Sequence, residues 1–246
     1  MTAKANSGLA RPLLALARIL DYPTVELQQH ADEIAAILAA APGLNEDESE
    51  AVRAFAKGLA GQRLFDIQAE YVETFDRGRK VSLYVFEHVY GESRDRGPAM
   101  IELKKAYRDY GLDTNTRELP DFLPVFLEFC AQVPPDAAMT WLVETTHILQ
   151  RVCVRLAERG SGYATTLTVL LRMIGADPAP EDLTHMAGEE RRDDTPEAMD
   201  EIWMEKPVTF GPGEDLTDCG ATRQTPPEPK TAQRSAHTNT HQGGQP

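Results

Sequence analysis

The side chains best suited to chemistry crowd into two short stretches of this chain. Tyr71, Phe75, Tyr84, Phe86, Glu87, His88 and Tyr90 share one, and in the other the segment ELPDF (118–122) sets Glu118 and Asp121 three residues apart. A nucleophile needs a base beside it, a metal needs ligands that share a face, and a phosphate loop needs glycines ahead of a helix. Neither stretch has such spacing. Aromatics with an apolar face and a polar tip, set among carboxylates, instead make a surface that grips a peptide or polypeptide. Tyr71 and Phe75 also stand at helical spacing, which suits a core face equally well. The run Arg77, Arg79 and Lys80 reads as a solvated turn or as a contact for an anionic group. His88 has no partner fixed by sequence, His147 lies beside an apolar stripe, and His237 and His241 fall in a polar tail, so the histidines outline no metal cage. The expectation is binding rather than catalysis, with no metal.

The elements that must position these residues are helices. Leu13, Leu16 and Leu20 form a stripe closed by Tyr22-Pro23, because proline disfavours helix in the residue before it. Thr24 is placed to cap a helix through Leu27, Ala31, Ile34 and Leu38, and two more stripes follow at Val52–Leu59 and Leu64–Phe75. Past the basic turn, Gly97-Pro98 opens a helix that Gly111 closes in the left-handed conformation. Asp121 is expected to cap the helix of Phe122, Phe126 and Phe129, with Pro124 in its first turn. Asp136 is expected to cap one long helix from Met139 to Leu156, and Tyr163 to Ile174 completes the set. The reading is an all-α single bundle of about eight helices over residues 1–175.

Composition divides the chain there. Residues 176–246 carry 15 acidic against 6 basic side chains and nine of the 17 prolines, so that segment reads as an acidic, largely disordered tail. Within it, Thr195–Trp203 could form a short helix, and 195–211 a docking segment. A formal charge of −14 makes nucleic acid a poor partner and a basic peptide a natural one. Cys130, Cys153 and Cys219 show no metal or disulfide spacing. With no apolar run of membrane-spanning or secretory length, the chain is expected to act in the cytoplasm without membrane insertion, as a monomer or weak dimer.

The run YVETFDRGRKVSLYVFEHVYGESRDRGPAM (71–100), followed by ELPDFLPVFLEF and, in the tail, EKPVTFG, resembles the NarJ-type assembly chaperones of respiratory nitrate reductase. These belong to the redox-enzyme maturation chaperones of molybdoenzymes. The resemblance covers about residues 10–175 and implies an all-helical protein that holds the apo catalytic subunit by its N-terminal signal-like peptide. Molybdenum cofactor and iron–sulfur clusters are inserted meanwhile, and the resemblance implies a chaperone that neither joins the final enzyme nor keeps a cofactor. Proteins of molybdenum-cofactor biosynthesis are further implied partners. A Glu-Pro-x-Asp-His motif lines the peptide groove in the wider family; here Glu118 and Asp121 match its acidic positions, Pro120 is displaced by one, and Phe122 replaces the histidine. The groove expected from these residues comprises Tyr71, Phe75, Tyr84, Phe86, Glu87, His88, Tyr90, Glu118 and Asp121. Two other classes compete: an all-α metal-dependent hydrolase using His88 and His147, and a general scaffold acting through the acidic tail.

Overall fold

The computed structural model describes residues 7–114 and 118–203, which form twelve α-helices. Helices α1 (Ser7–Leu20), α2 (Val25–Ala39), α3 (Glu46–Gly61) and α4 (Leu64–Phe75) follow the apolar stripes. The Thr24 hydroxyl accepts the Leu27 N–H and caps α2 as expected, and Asn45 and Glu48 form a reciprocal capping box on α3. Helix α1 is the axis of the body. Its Leu13, Leu16, Ile19 and Leu20 are fully buried, and it packs against α2, α7 (Leu123–Gln132) and α10 (Tyr163–Met173).

All-α architecture holds, but the helix count exceeds the eight expected. The aromatic run forms its own short helix, α5 (Val85–Tyr90), ahead of α6 (Arg96–Asp109). The single helix expected from Met139 to Leu156 is two, α8 (Pro135–Glu144) and α9 (Thr146–Glu158). The joint is Thr145, whose hydroxyl and N–H both donate to the Leu142 carbonyl and so draw the turn away from the continuing helical ladder. Asp136 falls in the first turn of α8, where Pro134 is the cap residue, so it makes no capping bond.

The chain does not leave the body at residue 175. Gly175, at φ 74°, ends α10, and α11 (Glu181–Glu189) packs along α9 before α12 (Pro196–Trp203). Between them, Glu190 receives the Arg155 guanidinium at 2.8 and 3.1 Å, and Asp193 receives Arg159 at 2.6 Å. Asp193 also accepts the Lys80 N–H at 2.9 Å, and it packs so closely on Gly78 that a Cβ there would lie 2.6 Å from its oxygen. This segment is held by ion pairs rather than by apolar burial, which is why composition alone assigned it to the tail. The part of the expected docking segment beyond 203, the rest of the tail expected to be disordered, Cys219, His237 and His241 lie outside the described residues.

Arg159 and Asp193 are nearly buried, at 7% and 14% side-chain exposure, and without Asp193 the Arg159 guanidinium would keep only its longer pair with Asp194, at 3.5 Å. Asp193→Ala is expected to cost about 3 kcal/mol and to lower Tm by roughly 6–12 °C, at about 2–4 °C per kcal/mol for a body of this size. Asp193→Asn, which keeps the bond from Lys80, should cost less; differential scanning calorimetry on the full chain checks both.

Candidate functional site

Two chain segments distant in sequence are laced together to build one wall of a groove. The Val85 N–H donates to the Asp121 carbonyl at 3.0 Å and the Leu123 N–H to the Leu83 carbonyl at 2.8 Å, giving an isolated antiparallel bridge between Tyr84 and Phe122. Beneath it, the Asp121 carboxylate accepts the Phe86 N–H at 3.0 Å, and the Tyr107 hydroxyl donates to the Pro120 carbonyl at 2.7 Å. Asp121 therefore caps α5 across space and not α7, whose cap residue is Phe122 with no side-chain bond. The reason is local: the bridge carries Asp121 under the unpaired N–H groups that open α5.

Burial raises the Asp121 pKa against the opposing pull of the Phe86 N–H and of Arg96, 3.8 Å away, and its Oδ1 has no hydrogen-bond partner among the described residues. The ionised form is thus held at a cost.

On this wall the Tyr84 hydroxyl donates to Glu118 at 2.7 Å while its ring lies 5.1 Å from that of Phe122. Burial, and then the bond to Glu118, push the Tyr84 phenol up. Opposite, Tyr71 donates to the Leu20 carbonyl at 3.0 Å and packs edge-on to Tyr22 and against Phe75. The space between is an open cavity of about 720 Å³ with Tyr22, Tyr71, Phe75, Tyr84, Leu119 and Phe122 as its apolar lining. Such a volume falls in the usual range for ligand clefts.

The charges around it are sorted. Each arginine of the rim already has an acid: Arg77 pairs with Glu73, Arg79 with Glu92, and Arg96 with Glu87 and Asp121. Asp21, Asp76 and Glu118 pair with no cation among the described residues. Partial burial, then the nearby Glu118 charge, raise the Asp76 pKa above its ordinary 3.8. The cavity therefore offers surplus negative charge over an aromatic floor.

Of the residues expected from sequence, Tyr71, Phe75, Tyr84, Glu87 and Glu118 line this cavity, and Phe86, His88, Tyr90 and Asp121 do not. Asp121 is 1% exposed and works inside the protein. His88 Nε2 lies 2.8 Å from the Ser82 carbonyl, so that nitrogen carries the proton; burial lowers the ring's pKa and favours the neutral form. Phe86 and Tyr90 pack edge-on to each other. His147, expected beside the core, is exposed. Asp21, Tyr22 and Asp76 were missed because they end helices, and in a linear reading a helix end registers only as a stop signal. Among the described residues no group of three or more His, Cys, Asp or Glu side chains converges to hold a metal ion, and no helix is long and apolar enough to cross a membrane.

The described residues thus form an all-helical body with an open, acid-rimmed aromatic groove. The chain belongs to the nitrate reductase delta subunit family, whose model matches residues 41–168. It is 41% identical over 198 residues to the nitrate reductase molybdenum cofactor assembly chaperone NarJ of Escherichia coli K12, covering 80% of this chain and 84% of that one. It is 37% identical over 199 residues to the probable assembly chaperone NarW of the same organism, covering 80% and 83%. A probable NarJ of Bacillus subtilis is 39% identical over 101 residues, 41% of this chain and 55% of that one.

Two stability outcomes follow from these carboxylates. Asp121→Ala strips a helix cap and a buried acceptor and should cost about 1–3 kcal/mol, whereas Asp121→Asn retains an acceptor without the penalised charge and should cost less, as read by urea unfolding. Asp76 shares the direction of that shift, but it stands at the C-terminal end of α4 and caps no helix start. With its pKa raised in the folded chain, its stabilising contribution is present below the ordinary carboxylate value and is lost as pH rises through the folded one. At neutral pH its charge opposes folding, so Asp76→Asn should raise Tm by roughly 1–2 °C, the scale of a surface substitution, and that gain should vanish in acid.

Proposed function

We propose that this chain is a dedicated assembly chaperone for respiratory nitrate reductase, acting in the cytoplasm and absent from the finished enzyme. It holds the apo catalytic subunit at that subunit's N-terminal signal-like peptide, keeping it open to molybdenum-cofactor and iron–sulfur insertion before membrane docking. Its likeness to NarJ and NarW, the one a molybdenum cofactor assembly chaperone of nitrate reductase and the other a probable one, supports the role.

The observation that carries the peptide reading is the sorting of charge in the groove. A signal-like peptide starts basic and continues apolar or helical. Asp21, Asp76 and Glu118 suit its first part, because no cation of the described chain competes for them. Tyr22, Leu119 and Phe122 beside the buried rings of Tyr71 and Phe75 suit the second. Tyr84 holds Glu118 in place, so little side-chain freedom is lost when a lysine or arginine arrives. The raised pKa of Asp76 points the same way, since a nearby cation would relieve the repulsion that a lone Asp76–Glu118 pair suffers.

The test is calorimetric titration of the full chain with a synthetic peptide copying the first roughly 15–30 residues of the catalytic subunit, the length of a signal segment. Saturable binding at micromolar strength or tighter is expected. Combining Asp76→Asn with Glu118→Gln should weaken it about tenfold, the scale of one lost charge-assisted contact, and flatten its salt dependence. A folded chain that ignores the peptide would overturn this reading.

A further inference from the structure

A second cavity, of about 430 Å³, opens between α5 and α9 and has the opposite character to the groove. Arg79, Lys80, His88, His147, Arg151 and Arg155 line it together with Val89 and Ile148, and no carboxylate does. In a chain of net charge −14 this is an unusual concentration of cations. His147, Arg151 and Arg155 recur every four residues, which puts them on one face of α9. Lys80 and Arg79 reach in from the turn after α4.

The compensation is incomplete. Glu92 pairs with Arg79, while the single carboxylate Glu190 serves both Lys80, at 3.1 Å, and Arg155, at 2.8 Å. Arg151 pairs with no carboxylate among the described residues, and neither does His147. Four cations therefore share two carboxylates, which leaves about two positive charges for a phosphate group carrying about −1.5 to −2 at neutral pH. Arg155 is held rigidly, since Glu190 takes two of its nitrogens and the Lys80 carbonyl a third, so the wall is built before any ligand arrives. Arg151 is exposed, and among the described residues nothing takes up its donor fork. The positive field is also felt by His88, where Arg155 and Arg151 add to burial in lowering the ring's pKa.

We propose that this cavity is a binding site for a phosphate-bearing anion, with Arg151 and His147 as its free donors and Lys80 and Arg155 as its fixed wall. Val89, which is 52% exposed, and buried Ile148 offer apolar surface for the organic part of a phosphate ester. Arg79 lines both this cavity and the acidic groove, so an anion here and a peptide there would meet on either side of one guanidinium. The site does not depend on the peptide reading.

The experiment is isothermal titration of the full chain with inorganic pyrophosphate, at ionic strength fixed by chloride, beside Arg151→Gln and Arg151→Gln/His147→Gln. Both side chains are exposed, and circular dichroism confirms that the variants remain folded. Saturable binding below millimolar, weakened about tenfold or more by Arg151→Gln and further by the double change, is expected. A nucleoside diphosphate in a parallel arm separates the sources: tighter binding than pyrophosphate assigns an ester seated on Val89 and Ile148, and equal binding assigns the free anion. No heat from a folded wild-type chain at millimolar pyrophosphate, or undiminished binding by the double variant, would overturn the site.

Discussion

One carboxylate organises the candidate site without lining it. Asp121 lies beneath the antiparallel bridge that ties residues 83–86 to 120–123, and it accepts the Phe86 N–H that opens α5. A helix as short as α5 has little propensity to persist alone, so its first turn depends on a cap supplied from elsewhere. Because that cap is fixed, Tyr84 sits where it can donate to Glu118 and Phe122 can flank it. The acidic and aromatic surfaces of the groove are thus consequences of a buried contact. Burial that disfavours the charge of Asp121 is tolerated because the same charge secures two chain segments 35 residues apart.

Electrostatics then divides the molecule. An acidic chain could be expected to present a uniformly negative surface, yet its cations are deployed in two distinct ways. Around the groove each arginine is neutralised by a neighbouring acid, which leaves Asp21, Asp76 and Glu118 dominant there. Between α5 and α9 the cations outnumber their acids. Arg79, which lines both, marks the boundary.

The stretch from Glu190 to Asp194 shows how a polar segment becomes part of a body. Arg155 and Arg159 on α9 draw it in, and Asp193 in turn ties down the turn at Gly78 and Lys80 from which the groove's basic residues project. These contacts join the C-terminal part of the described chain to the site. A boundary drawn by hydrophobicity would cut through them.

The amino-acid sequence alone determined the all-helical class, because apolar residues at steps of three and four bury a stripe only in a helix, and Pro23 and Gly111 stop what precedes them whatever the surroundings. It also pointed to the aromatic run and ELPDF, whose residue types suit recognition and carry the family likeness, and of these Tyr71, Phe75, Tyr84, Glu87, Glu118 and Phe122 line the cavity. Tertiary structure alone decided which of them face the groove. Asp121 has the sequence signature of a cap for the helix that follows it, and only the bridge from Tyr84 to Phe122 turns it towards α5. Asp21 and Asp76, remote in sequence from Glu118, join it only when the ends of α1 and α4 meet the 118–122 segment. The pairing of Glu190 and Asp193 with arginines of α9 was equally hidden. Periodicity and local stops are properties of neighbours along the chain, whereas charge pairing and cavity lining depend on distances between segments, and those exist only once the helices have packed.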